Sequence, residues 1–546
     1  MPKLALLPPI LVTTTSCALI GFGEASATNL LSLDLLGRFD SSYYIGFVLL
    51  TLTLGWYISR EGGSGLQPWV LISGLFTALY IEPMIIGGTP TMGHSYSFWL
   101  AVQAIQTSAH ISPSTGPWFL YWPGMETTFA TIADLTGIGS YIISVTPILW
   151  QGLLLLIVIL ISRTFSGSKK LAITAAWLFL VTDWVDQATF SDQAYGIFLL
   201  SVLILILAKN FGSGREGKGG TTLLLTVTVL IAGLVLTHIL TTIIAIVMVG
   251  FIVLRYRALV KVFLASVIMF AAWNGFWALQ RVAFSIETLG IPTISFNFFR
   301  ENLVQKVSGG ATSASHLIAT RLELISVLVF FAIGFYGWYV SSSHTKFPVS
   351  KSVSFVLVCL VISTILVSVL IGNWAGGEIV ERAYFFSLLS LPIFGATFSS
   401  TKNLFFVLLF FLLFSGCLNV YFQYNTNPVN HLNPGELQSN RYFETYAQSG
   451  EVYGNVGSYL SDGGLFVSSN GRLFLTQPQS FNGTIVASLA GNSYIGISST
   501  DVNTYIYANG GSPKEVASFL NTLSTYPGLN LAFNNPDSLV FVTSQQ

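Results

Sequence analysis

The sequence predicts an all-α polytopic membrane bundle of about 13 transmembrane helices, with a small C-terminal extracytoplasmic α/β domain. Three observations carry this. The 546 residues are 52% hydrophobic and only 8% charged, with a mean hydropathy of +0.69, whereas a soluble globule is about 25% charged. Apolar runs near the length needed to cross about 30 Å of hydrocarbon recur along residues 1–424. Beyond them the chain turns polar and takes on the alternation and turn residues of short strands.

The runs lie at about 4–22, 43–58, 68–87, 140–162, 171–183, 193–209, 221–237, 240–254, 259–279, 321–340, 352–372, 383–399 and 403–422. The positive-inside rule tests the count. With the amino terminus inside, the inner side receives Lys3, Arg60, Arg163, Lys169, Lys170, Lys209, Arg215, Lys218, Arg255, Arg257, Lys261, Lys346, Lys351 and Lys402. These are fourteen of the 23 basic residues, against only Glu61 and Glu216 among the 23 acids. A wrong number of crossings would scramble that parity. The first run, MPKLALLPPILVTTTSCALIGFGEASA, reads as a retained helix, with a cleaved signal peptide as the alternative because of its basic start and small-residue ASA. Cys17, Cys359 and Cys417 lie in apolar runs without paired spacing and read as small core residues.

Two outer regions follow from this topology. Residues 88–139 contain GHSYSFWLAVQAIQTSAHI and FLYWPGMETTFATIADLTGIG, which are moderately apolar, lack Lys and Arg from 93 onward, and carry His94, His110, Glu126 and Asp134. WLAVQAIQ and METTFATIADL have helical apolar spacing, and Trp122-Pro123-Gly124 interrupts the backbone. Two short interfacial helices hinged at that tripeptide are expected. The second region, 425–546, is the extracytoplasmic domain. Its GLFVSSNGRLFLTQPQSFNGTIVASLAGNSYIGISST alternates like strands, and SPKEVASFLNTLSTYPG reads as a helix with Ser512 as N-cap and Pro513 in its first turn. Asn482-Gly-Thr484 is an N-glycosylation sequon on the outer side.

The patches GHSYSFW, SAHI, YWPGMETTFATIADLTGI, TFSDQAYGIFLLSVLILILAK, LVLTHILTTIIAIV and ERAYFFSLLSLPIFGA occur in an order that resembles archaeal-type integral membrane proteins of the glycosyltransferase C superfamily. That superfamily includes oligosaccharyltransferases and protein mannosyltransferases. The resemblance spans about residues 80–400 and rests on patterns, not on one strict motif. It implies a hexosyltransferase that moves a sugar from a polyprenyl-phosphate carrier, at the outer face, to an acceptor glycan, lipid or protein. The partners it implies are the lipid-linked donor, that acceptor and membrane lipids. Such a reaction needs a base near the acceptor and a cation to hold the leaving phosphate.

The chain departs from the family pattern where relatives carry Asp-x-x-x-His in the first outer loop. It has His94 in place of the Asp and Phe98 in place of the His. A neutral imidazole can act as a base but replaces a metal-binding carboxylate poorly. Glu82, in YIEPM, is the nearest substitute acid; its alternative role is an interfacial carboxylate. DWVDQATFSDQ supplies Asp183, Asp186 and Asp192. Asp192 matches the family's second patch and joins His94 and Glu82 as a catalytic candidate. Asp183 and Asp186 are candidate ligands for a divalent cation such as magnesium or manganese, or else part of a solvated helix cap. His238, in LTHIL, lies at a tight outer turn. Arg382, in GGEIVERAYFF, has the bidentate fork suited to phosphate and stands beside Glu378 and Glu381. His238, Arg382 and Glu381 make up the expected substrate-binding set; snorkelling or pairing with Glu378 is the alternative for Arg382. Convergence of His94, Asp192, His238 and Arg382 on one outer cavity, roofed by 93–137, is the expectation that follows.

Other chemistries are excluded or weaker. GSGREGKGG fails the phosphate-loop spacing, no Cys/His cluster has zinc spacing, and no nucleophile elbow occurs. No basic patch supports a nucleic-acid partner. A transporter or flippase remains an alternative, although the spans lack central charges and an internal repeat. A noncatalytic assembly or anchoring protein is the other, favoured by the missing first-loop Asp.

Overall fold

The structure, a computed structural model, describes residues 7–25, 40–61, 65–82, 85, 93–111, 118–139, 141–184, 189–212, 220–289, 314–343, 349–370 and 379–425. In the tail it describes 451–454, 473–474, 493–498, 502, 512–527, 529–535 and 538–543. The helices are α1 (Leu7–Ala25), α2 (Ser41–Glu61), α3 (Gln67–Phe76, continued by a π-turn over Thr77–Ile81), α4 (Gly93–Ser108), α5 (Gly124–Thr136), α6 (Tyr141–Ser166), α7 (Lys169–Thr182), α8 (Asp192–Gly212), α9 (Thr221–Thr237), α10 (Ile239–Val253), α11 (Val260–Ala272, continued over Trp273–Trp277), α12 (Leu279–Leu289), α13 (Ala314–Ser343), α14 (Lys351–Leu370), α15 (Ile379–Ser387), α16 (Leu391–Gly395) and α17 (Lys402–Asn425).

Within the described residues the thirteen apolar runs are mainly helical. Among the described residues, seven helices are long and apolar enough to cross a membrane, within α2, α6, α8, α11, α13, α14 and α17, and α1, α3, α9 and α10 contain shorter apolar helices. The chain is a multi-pass membrane protein. Two runs depart from a simple span. Helix α7 has 14 residues, about 21 Å at 1.5 Å per residue. It is buried on every face from Leu171 to Thr182, as befits a helix apolar all round. The run 383–399 is not one helix: it breaks after Ser387, restarts as α16, and tightens to a 3-10 turn over Ala396–Ser400. Pro392 has no N–H to continue the ladder, and Ser390 instead bonds the Ser387 carbonyl at 3.0 Å.

The C-terminal carbonyls of α7 lie deep in protein and need donors there. Tyr80 Oη–H donates to Leu180 O at 3.1 Å. Asn419 Nδ2–H donates to Val181 O at 3.1 Å and Asp183 O at 3.2 Å, and the Tyr384 hydroxyl donates to Thr182 O. Side chains from α3, α15 and α17 thus meet at one helix end, and Trp184 stacks on Tyr384 with centroids 5.5 Å apart.

The basic ends of several helices gather together. Ser350 N–H donates to Phe165 O at 2.7 Å, Arg255 lies over the Phe355 ring at 5.5 Å, and Phe211 stacks on Tyr256 at 3.9 Å. These contacts join the connections after α6, α8 and α10 to the start of α14 at one end of the bundle. Asp192 and His238 stand at the opposite ends of α8 and α10.

The two helices expected within 88–139, α4 and α5, are joined by a longer link than expected. Helix α4 stops at Ser108 because Ala109 adopts a left-handed φ of 50°. The chain then continues to a 3-10 turn at Trp118–Tyr121 before α5, so the interruption extends well beyond Trp122-Pro123-Gly124. Gln106 Nε2–H donates to Asp134 Oδ1 at 2.7 Å and holds the helices together. Trp273 Nε1–H donates to Tyr121 O at 3.0 Å and docks the turn on α11.

In the tail, β1 (Glu451–Gly454), β2 (Leu473–Phe474), β3 (Ser493–Ser498), β4 (Leu529–Asn535) and β5 (Ser538–Thr543) form a sheet of order β2-β1-β3-β5-β4. β1 is parallel to β2 and β3; β5 is antiparallel to β3 and β4. Helix α18 (Pro513–Thr525) begins with the expected Ser512 cap, completed by Glu515 as a capping box. Its Phe519 and Leu523 bury against Ile497, Leu529 and Phe541. Of the strands expected over 464–500 only β2 and β3 fall within the described residues; Asn482 lies outside them.

Candidate functional site

The site begins with a close approach. At Gly124, the first residue of α5, a Cβ would stand 2.6 Å from Thr237 Oγ1 and 2.9 Å from Leu236 O, so only glycine lets this helix end reach the α9–α10 turn. Two residues on, Glu126 is fully buried. Neither of its carboxyl oxygens has a hydrogen-bond partner among the described residues. Burial first, then the charge of Asp192, holds its carboxyl well above the usual carboxylate range.

Asp192 opens α8 and is 4% exposed; its Oδ1 accepts the Gln193 N–H at 2.7 Å. One turn further, a Cβ on Gly196 would lie 3.2 Å from His238 Cβ and 3.1 Å from Thr241 Oγ1, so α8 abuts the turn. His238 caps both α9 and α10 in an extended conformation. Its Nδ1 accepts the Thr241 N–H at 3.3 Å and the Thr241 hydroxyl at 2.7 Å, which assigns the ring proton to Nε2. Burial, helped by Arg382, pushes the imidazole down to about 3, so the ring is neutral at physiological pH. Arg382, half-buried on α15, acts electrostatically on both Asp192 and His238.

Arg382 on α15 is therefore within electrostatic reach of Asp192 on α8 and of His238 at the α9–α10 turn, and Asp192 of Glu126 on α5. Three of these residues, Asp192, His238 and Arg382, are expected from the sequence. Glu126 is not, although a signal exists: it shares the apolar stripe of Phe129, Ala130 and Ala133 at helical spacing, where an acid is out of place.

The other expected residues fall elsewhere. Glu82 lies at the α1–α3 contact, where a Cβ on Gly21 would be 3.4 Å from its Oε2, near Cys17, whose thiol donates to Gly74 O at 3.4 Å. Asp183 is 1% exposed and its Oδ2 accepts the Gln151 amide N–H. Asp186 and Glu378, and the side chains of His94 and Glu381, lie outside the described residues. Among the described residues, no three His, Cys, Asp and Glu side chains gather as a metal centre would require.

No protein-family model matches the chain, and no curated protein matches it. Among solved structures it is similar to ArnT from Cupriavidus metallidurans bound to undecaprenyl phosphate, at 10% identity over 88% of this chain and 100% of that one, with a TM-score of 0.46. It is also similar to the Archaeoglobus fulgidus oligosaccharyltransferase. The form tethered to an acceptor peptide containing an NVT sequon is 11% identical over 90% of this chain and 75% of that one, TM-score 0.46. The complex with zinc and sulfate is 12% identical over 91% and 73%, TM-score 0.42.

Proposed function

We propose that this chain is a membrane glycosyltransferase-like protein that handles a polyprenyl-phosphate-linked sugar at the outer membrane face. The observation that carries the reading is the electrostatic coupling of half-buried Arg382 to buried Asp192 and His238, three residues from distant parts of the chain whose surrounding motifs resemble the glycosyltransferase C superfamily. In this reading residues 1–424 cross the membrane thirteen times, 88–139 lie at its outer surface, and 425–546 form the extracytoplasmic domain. Arg382 holds the phosphate through its fork. Asp192 takes the proton of the acceptor as the acceptor atom bonds to the sugar carbon and the bond from that carbon to the phosphate oxygen breaks. The polyprenyl phosphate leaves with the bond's electron pair. Neutral His238 supplies its Nε2–H as a hydrogen-bond donor. Asp183, held by Gln151, is given no part in the transfer.

A second reading has a specific observation in its favour. His94 occupies the position where relatives carry an acid, which suits a protein that binds the lipid carrier without turnover. Labelled transfer from a polyprenyl-phosphate sugar, measured with the purified protein in vesicles, separates the two. Turnover supports the enzyme, and binding without turnover supports the second reading. Arg382→Ala is expected to weaken polyprenyl-phosphate binding at least tenfold, the scale of one charge-assisted hydrogen bond, with Arg382→Lys in between. Unchanged binding in both variants would return Arg382 to a purely structural role.

A further inference from the structure

Neither carboxyl oxygen of Glu126 reaches a hydrogen-bond partner on another described residue; its own backbone N–H is the polar group acting on it locally. Its neighbours on α5, Met125, Phe129, Ala130 and Ala133, are apolar and buried. Asp192 from α8 is the titratable group whose charge acts on it; Arg382 acts in turn on Asp192 and on His238, at the α9–α10 turn, whose Leu236 and Thr237 lie against Gly124. Helix α4, packed on α5, offers none among its described side chains, and Asp134 on α5 itself is exposed and bonded to Gln106. Glu126 is wholly out of water and feels the charge of Asp192, and both effects favour its protonated form. A neutral carboxylic acid has an O–H to give, and no described residue takes it. An ionised carboxylate at the same place would repel an anion drawn in by Arg382.

We propose that Glu126 is a substrate-binding residue which, as the neutral acid, donates a hydrogen bond to an oxygen of the phosphate group that Arg382 holds. The assignment rests on the reading of the site as a polyprenyl-phosphate site. It makes anion binding depend on a proton: as Glu126 ionises, the site gains a negative charge and the phosphate is expelled.

Binding of polyprenyl phosphate, with inorganic phosphate as the second probe, is measured against pH with the full-length protein in nanodiscs. Affinity of the unaltered protein should fall about tenfold per pH unit above the ionisation of Glu126. Glu126→Gln, which keeps an N–H donor and cannot ionise, should bind within about twofold at neutral pH and show no such decline. Glu126→Met, of similar size without a donor, should bind about tenfold more weakly. Infrared difference spectra should show a protonated carboxyl band that Glu126→Gln removes and that shifts on adding polyprenyl phosphate to the unaltered protein. Preference for the lipid over inorganic phosphate identifies a lipid headgroup as the ligand; equal binding identifies free phosphate, and either supports the role of Glu126. Equal losses in Glu126→Gln and Glu126→Met proteins that both fold, or the lack of any protonated carboxyl band that shifts when polyprenyl phosphate is added to the unaltered protein, would overturn the assignment; the second result needs no variant. Binding that depends on Arg382 but ignores Glu126 refutes this inference alone, whereas no binding of either probe by the unaltered protein refutes the reading of the site.

Discussion

Replacing Gly337 by alanine is expected to destabilise the bundle by about 2 kcal/mol. Helix α13 crosses the broken segment at this residue. A Cβ there would stand 2.2 Å from the carbonyl oxygen of Phe394, 2.7 Å from its carbonyl carbon and 2.9 Å from Thr397 Oγ1. The first two are backbone atoms of a packed turn, which cannot rotate away as a side-chain tip can. Ordinary contact begins near 3.4 Å, so the backbones must part by about 1 Å. The Thr397 hydroxyl, which donates mainly to Phe394 O at 2.7 Å and only weakly to Gly337 O at 3.3 Å, shifts with them. Overpacking against backbone lies at the upper end of about 1–3 kcal/mol, while alanine's better helix propensity offsets about 1. Gly334→Ala meets only side-chain atoms of Leu391, the nearest at 2.6 Å, and should cost about 1 kcal/mol. Gly152→Ala meets only the Phe76 ring tip at 3.7 Å and should stabilise by up to about 1 kcal/mol. Thermal unfolding in one detergent should therefore rank Gly152→Ala above the unaltered protein, then Gly334→Ala, then Gly337→Ala. A Gly337→Ala protein as stable as the unaltered one would show that the close helix approach does not exist.

Asn419→Leu removes the donor shared by the end carbonyls of α7 and should cost about 1–3 kcal/mol, read by the same unfolding assay; no change would mean that those carbonyls find other donors. His238 has a folded value of about 3 against 6.5 as its ordinary value, so between those values the unfolded chain binds the extra proton. Its contribution to stability is therefore present above about 6.5 and lost as pH falls toward 3. His238→Asn keeps a capping side chain and should unfold with a shallower acid-side decline; an identical slope would contradict the buried neutral ring. In the tail, Ser512→Ala should cost about 1 kcal/mol, seen as faster amide exchange across Pro513–Thr525 in the full chain, with the membrane helices unaffected.

What the sequence determined by itself is what depends on composition and near neighbours. Membrane residence follows from apolar content. The tail helix follows from Ser512, Pro513 and Glu515, whose capping bonds reach only three residues along the chain. That Asp192, His238 and Arg382 would share one side was an expectation from counting crossings, and each of them does sit at a helix end. Tertiary structure alone decided which polar groups meet. Glu126 joins the group because Gly124 lets α5 lie against Leu236 and Thr237, a contact across more than a hundred residues that no local pattern encodes. Glu82 has the same chemistry, yet packing turns it toward Gly21 and Cys17. The surroundings of α7 are likewise a matter of packing: its apolar run resembles any span, and only the helices around it withdraw all its faces from lipid. Periodicity tells which residues share a face, but burial and electrostatic coupling depend on what that face meets.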